Sequence, residues 1–430
     1  MKPFRSLLFF ICCLFLLAAC GGEEPAGNAG KEPAGTSNAK LGDNLEPITL
    51  TVYTNENQGL MNDQIEAIQE RFPHITFQPL YWNAGPNLEE LVSSGQIPDM
   101  VQYTLGSFWP INESGMLTDL TDLIKEFDFD ASTLRPNVLD AVKSYSASGE
   151  ILFMPYSLTT GVLYYNMDIF DRFGVEYPSD RLTWDDVYDM AVVLTREEDG
   201  VQYKGFQYQN QHMVWKNQLA LPVTDPETNK TLVNSDGWKQ WVKIMGDFYR
   251  IPGNEYGGSF HADLNIAMYT GPNQLHVLIE AHKTNGMNWD VANLPKFKGA
   301  EDEGSQMISP FLGISPATKH RKEAFRVIQF MLSEEMQVRR ARSGVIPIIQ
   351  SETAIEQFGL DLEGVEGKNL KAFFEDEVGT SFPITPYDDI TKTALFSKIL
   401  PAYFNGDDDL NTIFRLQEDE INAAILEAMQ

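Results

Sequence analysis

The run Ile48-Thr-Leu-Thr-Val-Tyr53 is β-branched, aliphatic and aromatic, and it reads as a strand. Met61, Ile65, Ile68 and Phe72 follow at helical spacing, and Pro73 stops that helix. Ile75 to Leu80 reads as the next strand, Leu88 to Ser94 as a helix closed by Gly95, and Met100 to Tyr103 as a third strand. Strand, helix, strand, helix, strand predicts an α/β lobe with a mainly parallel sheet. Ligands of such sheets meet the loops beyond the carboxyl ends of the strands. Here those loops are Thr54-Asn55-Glu56-Asn57-Gln58, Tyr81-Trp82-Asn83 and Thr104 to Trp109.

A second set of elements begins after Gly149. Ile151 to Met154 and Val162 to Tyr165 are strand-like, and Thr183-Trp-Asp-Asp186 is a capping pattern for a helix running to Leu194. Ser235 to Tyr249, Glu323 to Leu332, Thr391 to Leu400 and Leu410 to Met429 have amphipathic helical spacing, with strand-like Trp289 to Leu294 and Met307 to Ile314 among them. Beyond the tether described next, no fixed-period repeat is present, which disfavours solenoids and propellers.

Residues 1–19 read as a secretory signal: Lys2 and Arg5, then an apolar run from Leu7 to Ala19 that is shorter than the roughly 20 residues a membrane span needs. Leu17-Ala-Ala-Cys20 resembles the lipobox of bacterial lipoproteins, which makes Cys20 the expected lipid attachment site. Residues 21–46 contain Glu-Pro-Ala-Gly twice and nothing apolar larger than Ala until Leu41, so they are expected to form a flexible tether. A body held this way sits at the extracytoplasmic face of a cell membrane, anchored by lipid alone.

All three cysteines, Cys12, Cys13 and Cys20, lie in the first twenty residues, so the processed body has no disulfide, thiolate cluster or cysteine nucleophile. Lys and Arg number 32 against 61 Asp and Glu, a net −29 that repels nucleic acid. At 430 residues, roughly 100–200 per domain, two or three domains are expected.

Catalytic signatures are missing: no Gly-x-Ser-x-Gly elbow, Walker loop, Gly-x-Gly-x-x-Gly or His-Glu-x-x-His occurs. Neither metal nor cofactor is expected. His276 and Glu280 share a helical face but His282 turns from them, and Asp407, Asp409, Asn411 and Glu418 fit a calcium loop except that Thr412 stands where Gly is needed. Aspartates capping the last helix explain that cluster better. The acidic excess guarantees carboxylate pairs somewhere, so their abundance is no sign of glycoside hydrolysis.

A binding cleft asks instead for a few polar side chains among apolar walls: amides and carboxylates that meet hydroxyls, and aromatic rings that take C–H faces. Asn55, Glu56, Asn57 and Gln58 supply the first kind, and Trp82, Tyr103 and Thr104 add aromatic and hydroxyl groups. Further along, Gln207 to His212 leads to Trp215; Gln209, Asn210, Trp215, Asp263, Trp289 and Tyr387, the last followed by Asp388, complete the candidates. Trp184, Trp238 and Trp241 are assigned to packing instead.

The order of segments resembles the extracellular solute-binding proteins, family 1, the sugar-binding lipoproteins of bacterial ABC importers. Gly149-Glu-Ile-Leu-Phe-Met-Pro-Tyr-Ser157 followed by Gly161-Val-Leu-Tyr-Tyr-Asn-Met-Asp-Ile-Phe170 carries the likeness most specifically. Ile97-Pro-Asp-Met100, Gly115-Met-Leu-Thr-Asp-Leu120, Leu182-Thr-Trp-Asp-Asp186, Ala292-Asn-Leu-Pro295 and Leu312-Gly-Ile-Ser-Pro316 support it in order. One departure is Leu264-Asn-Ile-Ala-Met268, where the family often has Gly-Lys beside Ala-Met.

The resemblance implies a two-lobed periplasmic-binding-protein-like α/β fold with discontinuous lobes, a hinge and an interlobe cleft. The N-terminal lobe is expected over 47–157 plus 312–350 and the C-terminal lobe over 158–311 plus 351–430. Crossings are expected near 157–161, 310–314 and 346–353, which makes Ser157, Thr159, Thr160 and Phe311 hinge or ligand residues. The implied function is a monomeric receptor, not an enzyme, that hands a carbohydrate to separate ABC permease subunits. A peptide or cationic solute, or a carboxylate-dependent glycoside hydrolase, are the rival readings, and a sensing role is a third.

Overall fold

A computed structural model describes residues 46–430 apart from Pro86 and Asp407. The expected signal segment, Cys20 and nearly all of the tether lie outside the described residues. The described strands are β1 (Ile48–Thr54), β2 (Ile75–Tyr81), β3 (Met100–Thr104), β4 (Met154–Pro155), β5 (Val162–Asn166), β6 (Arg196–Glu198), β7 (Val201–Tyr208), β8 (Ile266–Thr270), β9 (Trp289–Asn293) and β10 (Pro310–Ile314). They form two five-stranded sheets, ordered β2-β1-β3-β10-β4 and β6-β7-β8-β5-β9. In the first, β1 runs parallel to β2 and β3, while β10 enters antiparallel from far along the chain. The second pairs β7 parallel to β8 and places β5 antiparallel to both β8 and β9.

Local chemistry explains the first half. Asn57 caps the helix Gln58–Arg71 by accepting from Gly59 N–H at 2.8 Å, and Met61, Ala67 and Ile68 are buried against the sheet. Asn87 and Glu90 form a reciprocal capping box on Leu88–Ser94, which Gly95 ends with φ 70°. The elements from β1 to β3 thus stand where the sequence reading puts them. Behind β3 and β10 lies an aromatic cluster: Phe108 meets Tyr145, Phe153 and Phe311 at ring separations of 4.9, 5.3 and 6.1 Å.

In the second half, Thr183 and Asp186 box the helix Trp184–Leu194, and that helix packs on β7 so closely that a Cβ at Gly205 would lie 2.2 Å from the Ala191 carbonyl oxygen. Trp184, Trp238 and Trp241 are core residues, as expected. Asp409 caps the helix Leu410–Ala428 through Asn411 and Thr412 N–H, also as expected. A wide π turn, Leu395–Ile399, links the helices Asp388–Ala394 and Leu400–Asn405; Pro401 stands just beyond it with no N–H to return to the preceding turn.

The chain passes between sheets at 156–161, from β4 to β5, and at 294–309, from β9 to β10. The second passage therefore ends where the sequence reading expected it to begin, since 310–314 is itself a strand of the first sheet. These passages are bonded together: Thr159 N–H donates to the Ile308 carbonyl at 2.9 Å, Ser309 Oγ to the Ser157 carbonyl at 2.5 Å, and Leu158 pairs with Ile346. Residues 351–384 touch both halves. Gly359 N–H reaches the Ala341 carbonyl and Arg135 the Phe374 carbonyl, whereas Asn369 N–H reaches Asp290 and Thr160 Oγ1 the Phe373 carbonyl. The boundary expected at 350 has no sharp counterpart, because this stretch is held by hydrogen bonds from either side.

Candidate functional site

A cavity of about 50 Å3 lies where the two halves meet. The first sheet contributes the loop following β3, with Leu105, Gly106 and Trp109, together with Ser144 and Tyr145 at the end of the helix Val138–Lys143. Facing them are Trp215 and Asn217 at the end of the helix Asn210–Lys216, and the segment from Phe382 to Lys392. Gln306, Met307 and Ile308 of the second passage close the floor. Grooves along 62–70 and between 389–398 and 420–424 belong to one helix or one helix pair and join nothing from the two sheets.

The cavity walls combine rings with a few polar groups. Trp109 packs edge-on against Phe108 at 5.1 Å, and its Nε1 has no hydrogen-bond partner among the described residues. Asp388 is buried and accepts from Thr385 Oγ1 at 2.6 Å. Burial pushes the carboxyls of Asp388 and Asp389 up, against the opposing pull of Lys392. Tyr145, on the opposite wall, has its phenol pushed well up by burial and by the Asp389 and Asp388 carboxylates. The Ile384 N–H donates to the Ser144 carbonyl at 2.9 Å and holds the two walls in place.

Beside the cavity is a saturated charged knot. Lys216 and Asp376 are buried, their side chains 3% and 1% exposed, with 3.5 Å between Nζ and Oδ2. Nζ also donates to the Thr159 carbonyl at 2.5 Å, while Asp376 accepts from Ser305 Oγ at 2.8 Å and Gly161 N–H at 3.4 Å. Burial pushes the ammonium down, and the Asp376 carboxylate pulls it back up. Ser157, Thr159 and Thr160 thus belong to the passages themselves, bonded through their backbone or, for Thr160, its hydroxyl.

Of the residues singled out from sequence, Trp215 lines the cavity and Thr104 and Tyr387 directly precede segments that do. The others fall elsewhere. Phe311 is 0% exposed inside the aromatic cluster because its strand is central in the first sheet, and Trp289 is 0% exposed in β9, with Lys368 over its ring at 5.2 Å. Asp263 is exposed and accepts from Ser259 N–H at 2.6 Å, closing the turn before its own short helix. Glu56 is used internally: Oε2 accepts from Tyr156 OH at 2.9 Å and Gln64 Nε2 at 3.3 Å, with Arg340 at 3.7 Å.

Asn57 is a cap and Gln58 opens its helix, exposed; Asn55 donates its N–H to the Gln102 carbonyl, and Trp82 stands 51% exposed at the end of β2. Tyr103 stacks on Tyr53 at 5.7 Å. Gln209 is exposed, Asn210 is buried beside Tyr249 at 3.4 Å, and Gln207, expected in a loop, is a buried β7 residue. Sequence reasoning missed Tyr145, Asn217, Gln306, Phe382 and Lys392. Only the loop 104–109 pointed toward Trp109, and Asp388 was singled out only as the neighbour of Tyr387, while Asp389 was missed.

Residues 54–338 match the family model for bacterial extracellular solute-binding proteins. The chain belongs to that family. Within it, the sn-glycerol-3-phosphate-binding periplasmic protein UgpB of Escherichia coli K12 is 28% identical over 162 residues, 35% of this chain and 36% of that protein. The chain therefore matches only about a third of the length of these curated relatives. Solved structures of the same fold align far more widely. An ABC substrate-binding protein of Listeria monocytogenes in complex with cycloalternan aligns over 88% of this chain and 99% of its own, with TM-score 0.68 and 20% identity. The sugar-binding protein MalE of Xanthomonas citri gives 0.70 at 13% identity, over 89% of this chain and 98% of its own. These solute-binding structures establish the two-domain α/β architecture. Among the described residues no helix is long and apolar enough to cross a membrane.

Proposed function

We propose that this solute-binding protein captures a sugar or oligosaccharide in the cavity between its two sheets and delivers it to the permease of an ABC importer. The observation that carries the reading is the cavity wall, where Trp109, Tyr145, Trp215 and Phe382 stand among Gln306, Asp388 and Asp389; the Asn217 amide beside them is taken up at both ends by Leu221. Rings suit the C–H faces of a sugar, and amides and carboxylates suit its hydroxyls. Structural neighbours named for sugars support it.

UgpB is named for a phosphorylated solute, but this cavity brings Asp388 and Asp389 against the single cation Lys392, which tells against an anion. The same carboxylates favour a cationic solute as a second reading. A glycoside hydrolase is not favoured, because Asp388 and Asp389 are adjacent on one helix and do not flank a bond from opposite sides.

In this reading the lobes are 47–157 with 310–350, since β10 carries the expected start at 312 back to Pro310, and 158–309 with 351–430, the segment 351–384 serving both. They close around solute by hinge motion at the passages. The body is a monomer tethered to the outer face of the membrane through lipid on Cys20, and it performs no chemistry. A panel of neutral oligosaccharides, amino sugars and sn-glycerol 3-phosphate, followed by tryptophan emission and melting temperature, tests this. A neutral sugar raising the melting temperature supports the reading, since a ligand of the native state stabilises it. A shift with sn-glycerol 3-phosphate alone overturns it.

A further inference from the structure

One place where the two halves meet is a glycine. Gly106 lies in the 3₁₀ turn Leu105–Ser107 after β3, and Trp215 is carried by the helix Asn210–Lys216 of the other half. A Cβ built on Gly106 would lie 2.2 Å from Trp215 Cη2 and 2.7 Å from Cζ3, well inside contact distance. The indole edge therefore rests on bare backbone. Gly106 is outside the left-handed region, so its conformation admits a side chain, and the nearest atoms in the way of one are those of the indole.

Trp215 is also tied to the passages between the sheets. The carbonyl of the next residue, Lys216, accepts from Gln306 N–H at 2.6 Å, and Lys216 Nζ donates to the Thr159 carbonyl. Rotation at the passages is thus passed directly to the indole. Behind the contact the cavity holds about 50 Å3, whereas small-molecule sites run to roughly 300–1,000 Å3. A solute the size of a sugar ring enters only when indole and glycine part.

We propose that Trp215 seated on Gly106 is the closing seam of the cleft, a self-contact that an entering solute displaces and that sets the resting balance between open and shut forms. The proposal rests on reading the cavity as the solute site, but its test needs no solute. Small-angle scattering and tryptophan emission are recorded on the full chain as wild type, Gly106→Ala, Trp215→Ala and the double variant.

If the seam exists, the added methyl wedges it: Gly106→Ala has a larger radius of gyration than wild type. The Trp215 contribution, taken as the difference from Trp215→Ala, moves to longer wavelength. The double variant returns to the Trp215→Ala profile, because the methyl then meets no indole. Superimposable wild-type and Gly106→Ala profiles overturn the proposal, as does a double variant that keeps the Gly106→Ala expansion. Should Gly106→Ala fail to fold, acrylamide quenching of Trp215 in the wild type decides: a shielded indole supports the seam and a freely quenched one overturns it. Failure of every solute in the panel would strike the cleft reading alone, since scattering judges the seam independently.

Discussion

The loop 55–58 and the loop 105–109 leave the same edge of the first sheet, yet their polar groups end differently. In the first, Glu56 accepts from Tyr156 and Gln64, and Asn57 is spent on a helix cap. In the second, Trp109 keeps an indole N–H without a partner among the described residues on the wall of a cavity, and Gly106 gives its backbone face to Trp215. Residue type tells which groups can bind a sugar. Whether they are free to do so depends on partners far away in the chain, because each partner met inside the fold takes up a donor or acceptor site that a ligand would need.

The sharpest way to break this contrast is at the most saturated cluster. Lys216→Met leaves the buried Asp376 carboxylate with only Lys296 Nζ, 3.8 Å from Oδ1, to balance it, and we expect unfolding in urea to lose about 3 kcal/mol, the low end of what breaking a buried pair costs. Pairing it with Asp376→Leu should recover part of that loss, since an apolar pair often replaces a buried ion pair without penalty. A single variant within about 1 kcal/mol of wild type would show that the knot is not a structural one.

A smaller effect separates the two loops directly. Glu56→Ala removes the acceptor of the buried Tyr156 hydroxyl, and should lower unfolding stability by about 1–3 kcal/mol while leaving solute affinity unchanged. Trp109→Phe removes the indole N–H together with the five-membered ring and keeps one aromatic face, so affinity for a bound sugar should fall at least about fivefold, one hydrogen bond's worth, while the shortened side chain costs no more than about 1–2 kcal/mol of stability. The reverse pattern in calorimetric titration and urea unfolding would exchange the roles assigned to the two loops.

Much of the first sheet was legible because its signals are local: Gly95 and Pro73 mark element ends within a few residues of the apolar runs they bound, although Asn57, read as a solute candidate, is a helix cap. Strand β7 was not legible. Its Gln207 looks like a loop residue, yet Nε2 donates to the Asn254 carbonyl at 3.0 Å and Oε1 accepts from Gly257 N–H, partners that sequence spacing does not reveal. Lys216 and Asp376 are 160 residues apart, so nothing local announces their pairing. The cavity suffers the same way. It gathers Trp109, Tyr145, Trp215 and Phe382 from four separate segments, and each alone reads as an ordinary aromatic.

The smallest effect concerns which solute the open wall prefers. Burial holds the Asp389 carboxyl above its unfolded value of about 3.9, with Lys392 opposing. Between those two values the native state binds the extra proton, so this site stabilises the fold below pH 4 and the contribution is lost as pH rises through the folded pKa. Asp389→Asn removes that dependence. Melting temperature measured from pH 4 to pH 7 should therefore fall less, or rise more, in the variant than in wild type, by under about 1 kcal/mol in stability. The same variant separates the two solute readings. An Asn carbonyl still accepts a sugar hydroxyl, so a neutral oligosaccharide should bind within about twofold of wild type, whereas a cationic solute loses its counter-charge and should weaken by tenfold or so. Equal weakening of both would mean that Asp389 contributes shape or hydrogen bonding rather than charge, and the wall would then have no electrostatic preference to offer.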